Sequence, residues 1–149
     1  MKLIVVAMGK LKRNYFREAE RDYVERIRKF IPFEIIELKK ESLDSRRKDD
    51  FWERWKRQFG RESLPILLDE SGKQFTTLEF ARFIEEKIGK LNLIFFIGGP
   101  FGFPSEISLP SPVKISLSKM TLNHQIARIL LLEQIYRSFK IIRGEPYHH

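Results

Sequence analysis

The chain has 149 residues, with 28 Lys+Arg against 20 Asp+Glu for a formal net charge of +8, and is 42% hydrophobic and 32% charged. This is the balance of one globular domain, residues 1–149, long enough to bury a core. There is no cysteine, and none of the three histidines falls in a His-Glu-x-x-His spacing, which excludes disulfides, thiolate metal sites and that zinc motif.

In chain order, residues 2–8 predict a buried strand. Their apolar run is too short for a signal-peptide core or a membrane span, which points to a cytoplasmic protein with no membrane partner. Over residues 14–30, Tyr15, Phe16, Ala19, Tyr23, Ile27 and Phe30 recur at helical spacing, and Pro32 stops that helix. Residues 33–38 predict a second strand. Residues 44–61 set Phe51, Trp52, Trp55 and Phe59 on one helical face, among Arg46, Arg47, Lys48, Arg54, Lys56, Arg57 and Arg61. Such interleaving can bind single-stranded RNA. Helical spacing favours the plainer reading, an aromatic stripe docked on the core with a charged outer face, whose arginines remain able to touch phosphate.

Residues 64–68 predict a third strand, ending in the turn signal Asp69-Glu70-Ser71-Gly72. Thr76 or Thr77 caps the next helix, and Thr76 with Glu79 makes a capping box. Residues 91–97 are almost continuously apolar, as a fully buried parallel strand is. A fifth strand at 113–117 and a helix from about Leu122 to Ile142 follow, with Thr121 as a candidate cap. The alternation makes an α/β domain with a mainly parallel sheet and helices on both faces.

Ligands of such sheets sit beyond the carboxyl ends of the strands. Three ends carry suggestive residues: Leu68-Asp69-Glu70, Ile97-Gly98-Gly99-Pro100 and Leu117-Ser118-Lys119-Met120. Gly98 and Gly99 allow close approach to the backbone, or serve only a tight strand exit. Gly102 is followed by Phe103-Pro104, so this is no Walker loop, and the dinucleotide fingerprint is absent. His124 opens the last helix, where a histidine is commonly a surface or capping residue. Glu133 and Arg137 are spaced for a helix ion pair, although Arg137 could instead hold a phosphate. Tyr147 and His148 follow Gly144-Glu145-Pro146, in a tail of the kind usually disordered. The final His148-His149 reads equally as native sequence or as part of a tag.

Several segments together resemble the SPOUT-class ribosomal RNA large-subunit methyltransferase H family. They are Phe96-Ile97-Gly98-Gly99-Pro100-x-Gly102, Ser116-Leu117-Ser118-x-Met120-Thr121-Leu122-x-His124, Glu133-Gln134-x-Tyr136-Arg137 and Pro146-Tyr147-His148. Met1-Lys2-Leu3, Gly9-Lys10 and Leu68-Asp69-x-x-Gly72-Lys73 fit the same pattern, so the likeness runs in order along the whole chain.

The resemblance implies a C-terminal deep trefoil knot, a rare chain path. It implies a homodimer with S-adenosylmethionine (SAM) bound in the knot and no metal. It implies methyl transfer to N3 of pseudouridine 1915, in the helix 69 stem-loop of 23S rRNA, on the assembled 70S ribosome. Carried over, Leu68, Gly98, Gly99, Leu117, Ser118, Lys119, Met120, Thr121 and Leu122 would line the SAM pocket. Tyr147 and His148 would approach the target base across the dimer interface, with Arg137 and His124 as base or phosphate contacts. His148 would remove the N3 proton, or Arg137 would stabilise the anionic base. Two positions depart from the pattern. Asn123 replaces a proline, which is expected to loosen the junction into the last helix, and His149 replaces a basic residue. Two other readings stay open: a non-enzymatic ribosome-binding protein on the same fold, and a nucleotide enzyme on an open, unknotted sheet.

Overall fold

The computed structural model describes residues 1–39, 51–104 and 107–147. The expected helical start at 44–50, with Arg46, Arg47 and Lys48, lies outside these residues, as do the tail residues His148 and His149.

Five strands form one sheet: β1 (Leu3–Met8), β2 (Phe33–Leu38), β3 (Ser63–Gln74), β4 (Asn92–Ile97) and β5 (Val113–Ser116). The order is β2-β1-β4-β3-β5 and every pairing is parallel. The helices are α1 (Asn14–Ile27), α2 (Phe51–Phe59), α3 (Thr77–Ile88) and α4 (His124–Ile142).

The inner strands β1 and β4 are buried at every residue, which is why LIVVAM and NLIFFI read as unbroken apolar runs. Their side chains alternate between two cores. Leu3, Val5, Ala7, Leu93, Phe95 and Ile97 pack with α1, α3 and α4; Ile4, Val6, Met8, Ile94 and Phe96 pack with α2. Phe96 is fully buried, and its ring lies within 6.3 Å of the rings of Phe51, Trp52, Trp55 and Phe103. The α2 aromatics are therefore core, and its basic residues form the outer face. Asn92 fastens this layer from below, accepting from the Lys2 amide (3.0 Å) and donating to the Phe59 carbonyl (2.7 Å).

Several boundaries differ from expectation. Helix α1 ends at Ile27, before a turn at 28–30, rather than running to Phe30. The turn at Asp69–Gly72 does form, but β3 resumes beyond it. Leu68 and Lys73 both register with Ile115 of β5, so the four residues between them arch out. Asp69 Oδ1 stabilises the arch by accepting from the Ser71 amide (2.8 Å) and hydroxyl (2.7 Å). A side chain at Gly72 would lie 2.6 Å from the Lys114 carbonyl carbon, so only glycine lets β5 close against the arch. Thr76 is the cap of α3, accepting from the Glu79 amide (3.1 Å).

Helix α4 starts at His124, not Leu122. Its cap is Asn123, whose Oδ1 accepts from the Gln125 amide (2.9 Å), and Thr121 has no such role. The proline replacement thus supplies a cap at the junction where loosening was expected. Buried Arg128 then ties α4 to the neighbouring layer through Glu20 of α1 (2.6 Å) and Glu37 of β2 (2.9 Å).

Candidate active site

The carboxyl ends of β3, β4 and β5 and the first turn of α4 surround a cleft of about 320 Å³. From β3 it receives Leu68, Asp69 and Glu70; from the β4 exit, Ile97, Gly98, Gly99, Gly102 and Phe103. β5 ends there in Ser116; Leu117, Ser118, Met120 and Leu122 follow it, and α4 adds His124 and Ala127.

The β4 exit is a hairpin of four residues. Gly99 and Gly102 exchange amide–carbonyl bonds of 3.1 and 3.0 Å, and Gly102 takes φ +85°. Pro100 and Phe101 form its tip, and Phe101 is fully exposed. Gly98 lies under this hairpin, where a Cβ would stand 2.5 Å from the Gly102 carbonyl carbon and 2.7 Å from the Phe103 nitrogen. Glycine at 98 is therefore required by close backbone approach, with ordinary φ; positive φ belongs to Gly102.

The β5 exit is shaped by two serines. The Ser116 hydroxyl donates to the Ser118 carbonyl (2.9 Å), and Ser118 Oγ accepts from the Met120 amide (2.9 Å). These bonds turn Ser118, Met120 and Leu122 toward the cleft. Lys119 and Thr121, in the stretch expected to line the SAM pocket, are exposed and are not among the residues around the cleft.

His124 is half-buried at the cleft wall. Burial first, then the charges of Lys12 and Arg128, pushes its imidazole below the ordinary range. It is thus neutral at pH 7, able to exchange hydrogen bonds but unsuited to pairing with phosphate as a cation.

Arg137 and Tyr147 gather elsewhere, around Glu133. Arg137 Nη2 donates to Glu133 Oε1 (2.7 Å), and the Tyr147 hydroxyl donates to the same oxygen (3.2 Å). The guanidinium also stacks on the Tyr147 ring, 4.6 Å from its centroid. Burial, then Glu133 and Tyr23, raises the Tyr147 phenol above its usual value, so it stays protonated at neutral pH. The tail through Tyr147 is consequently folded back along α4, with Gly144 at φ +66° making the reversal. Neither Arg137 nor Tyr147 lines the cleft. His124 and Arg137 lie on one helix, separated by about 20 Å at a rise of roughly 1.5 Å per residue.

Residue reasoning thus located most of the wall by strand ends. Gly102, which closes the glycine-rich segment, Phe103, which follows it, and Asp69 and Glu70, at a suggestive strand end, join the wall beyond the expected cofactor residues. Ile97 and Ser116 lie in segments that the sequence marks, whereas Ala127 carries no chemical signal and only the packing brings it in. Among the described residues, no helix is long and apolar enough to cross a membrane, and no three His, Cys, Asp or Glu side chains converge as a metal would need.

A family model described as "Predicted SPOUT methyltransferase" matches residues 1–148. The protein named ribosomal RNA large subunit methyltransferase H from Cytophaga hutchinsonii is 40% identical over 156 aligned positions, covering 100% of both chains. Proteins of the same name from Coprothermobacter proteolyticus (40% over 150, 99% of each chain) and Parabacteroides distasonis (37% over 156, 100% of this chain and 99% of the relative) are similar along their length.

Proposed function

The chain belongs to the SPOUT methyltransferase family, and from that premise we propose that it is a SAM-dependent ribosomal RNA methyltransferase acting on N3 of pseudouridine 1915. The target lies in the helix 69 stem-loop of 23S rRNA, and the substrate is the assembled 70S ribosome. The enzyme works in the cytoplasm as a homodimer whose C-terminal region follows the family's knotted path. The observation that carries the reading is the cleft at three strand ends, in a chain that aligns end to end with relatives bearing that methyltransferase name.

The cleft suits the cofactor. Leu68, Ile97, Leu117 and Leu122 offer apolar surface for a base or ribose, and the Gly99–Gly102 hairpin with Gly98 beneath it brings backbone rather than side chains to the wall. Its volume is at the lower end of small-molecule sites, about 300–1,000 Å³. When bound, SAM supplies a methyl group already activated on its sulfonium. The protein's task is to align nucleophile and methyl and to manage the N3 proton.

For that task the separation along α4 matters. Arg137 and Tyr147, gathered at Glu133, do not line the cleft of their own protomer, and in this reading they serve the partner's cleft across a two-fold interface. Exposed apolar side chains support such a contact: Phe101 (100%) and Met120 (78%) near the cleft, Ile126 (43%) and Leu130 (42%) on α4. Tyr147, protonated and bonded to Glu133, orients the target base and is not its base. Arg137, pre-oriented by the same carboxylate, stabilises negative charge as N3 is deprotonated. His148 is the residue of this group suited to accept the proton.

The test is tritiated-methyl transfer from SAM to intact 70S ribosomes, with the labelled base mapped. Parallel reactions use free 23S rRNA and ribosomes lacking the pseudouridine. Label confined to that base in 70S particles is expected. Absence of both label and SAM binding would overturn the enzyme in favour of a ribosome-binding protein on this scaffold.

A further inference from the structure

Helix α2 has two unlike faces. Phe51, Trp52, Trp55 and Phe59 are buried against the sheet, which removes them as platforms for stacking bases. The opposite face carries exposed Arg54 and Arg57, and exposed Arg61 follows just after Gly60. Lys56 is beside them, paired with Glu53 (2.7 Å), and Glu53, Lys56, Arg57 and Arg61 line one groove. Among the described residues, Arg54, Arg57 and Arg61 have no carboxylate partner.

The other outer helices differ. In α1, Arg17, Arg21 and Arg26 alternate with Glu18, Glu20, Asp22 and Glu25; in α3, Arg82 and Lys87 face Glu79, Glu85 and Glu86. Cations in the last turn of α2 are favoured by the helix dipole, which accounts for Lys56 and Arg57 but not for Arg54 at mid-helix. Arg54 and Arg57 are one turn apart on α2, and Arg61, just beyond its end, shares a groove with Arg57. Guanidinium suits bidentate contact with phosphate oxygens better than an ammonium does.

We propose that the cluster of Arg54 and Arg57 on the outer face of α2 and Arg61 just beyond its end docks the phosphate backbone of ribosomal RNA, as an interaction surface separate from the SAM cleft. The proposal rests on the RNA-methyltransferase reading and extends it. With its aromatics in the core, α2 reads no bases. It adds sequence-independent affinity and orients the protomer, while specificity stays at the cleft and tail.

The test compares the wild type with an R54Q/R57Q/R61Q variant and an R54K/R57K/R61K variant. Binding to purified 70S ribosomes is followed across potassium chloride concentrations at fixed magnesium. Loss of three phosphate contacts should reduce the slope of log affinity against log salt by about 2–3. The wild type should therefore lose about 16–64-fold more affinity than the glutamine variant between 50 and 200 mM salt. The glutamine variant should show a raised KM for ribosomes, unchanged kcat and unchanged SAM affinity, and the lysine variant should regain most of the slope. An unchanged slope and affinity in the glutamine variant would overturn the docking role, as would a loss that lysine does not restore. A wild type that binds ribosomes but transfers no methyl group would instead overturn the enzymatic reading, and the slopes would still decide the role of α2.

Discussion

At the scale of single residues, the site is governed by absent side chains and by protonation. The Cβ of a Gly98→Ala variant would meet backbone on the underside of the Gly99–Gly102 hairpin, where no side chain can yield. That variant should bind SAM at least about tenfold more weakly by calorimetry, since overpacking against backbone commonly exceeds the 1.4 kcal/mol involved. Wild-type affinity would remove the hairpin from the cofactor site. His124 provides a pH test. Its folded pKa is depressed, so below about pH 6.5 the unfolded chain takes up a proton that the folded protein resists. Its effect on stability is nil above that range and unfavourable as pH falls through it. A His124→Gln variant should therefore lose less Tm than the wild type between pH 7 and 5, and parallel curves would show the imidazole to be unperturbed. The glycine turn is legible in sequence because few residues could replace it. The lowered pKa of His124 is not, because it depends first on burial in the packed fold and then on the charge of Lys12, remote in the chain, beside that of Arg128 one helical turn away.

At the scale of elements, the strands and helices follow from periodicity and caps, and the discrepancies have local causes. The β3 arch interrupts a strand without ending it, because Asp69 and Ser71 satisfy their own turn and Gly72 admits β5. Asn123 moves the start of α4 by offering a better-placed acceptor than Thr121. The position of α4 depends on Arg128, whose side chain is 4% exposed between Glu20 and Glu37. Truncating one member of a buried ion cluster leaves its partners desolvated and uncompensated. Because Glu20 and Glu37 remain partly solvated, Arg128→Ala should cost about 3 kcal/mol, the lower end for such losses. That corresponds to a fall in Tm of roughly 6–12 °C for a chain of this length. A change below about 2 °C would show that the cluster contributes little. Nothing in the local sequence around Arg128 announces this role: Glu20 and Glu37 are remote in the chain, and the triad exists only after α1, β2 and α4 have docked.

For the whole molecule, the question is how residues about 20 Å apart along α4 act on one reaction. If Tyr147 serves the partner's cleft, Gly98→Ala and Tyr147→Phe chains, assayed at SAM too dilute for the Gly98→Ala cleft to fill, should complement one another. Random re-association makes half the dimers mixed, and each mixed dimer holds one fully wild-type site. Methyl transfer should thus return to about one quarter of the wild-type rate after the two variants are unfolded together and refolded. No recovery, with mixed dimers demonstrated by mass spectrometry, would mean that each protomer completes its own site.

The sequence by itself determined the α/β alternation, the central strands, the aromatic inner face of α2 and the family likeness. These depend on short-range pattern: period two or 3.6, caps and glycines at fixed offsets. Tertiary structure alone decided which residues become neighbours across the sheet. It set Phe103 and Ala127 around one cleft, left Lys119 and Thr121 exposed beside it, lowered the His124 pKa by burial, and held Tyr147 on Glu133 outside that cleft. The physical reason is that distance, burial and charge environment arise only when remote segments pack, and no local pattern encodes them.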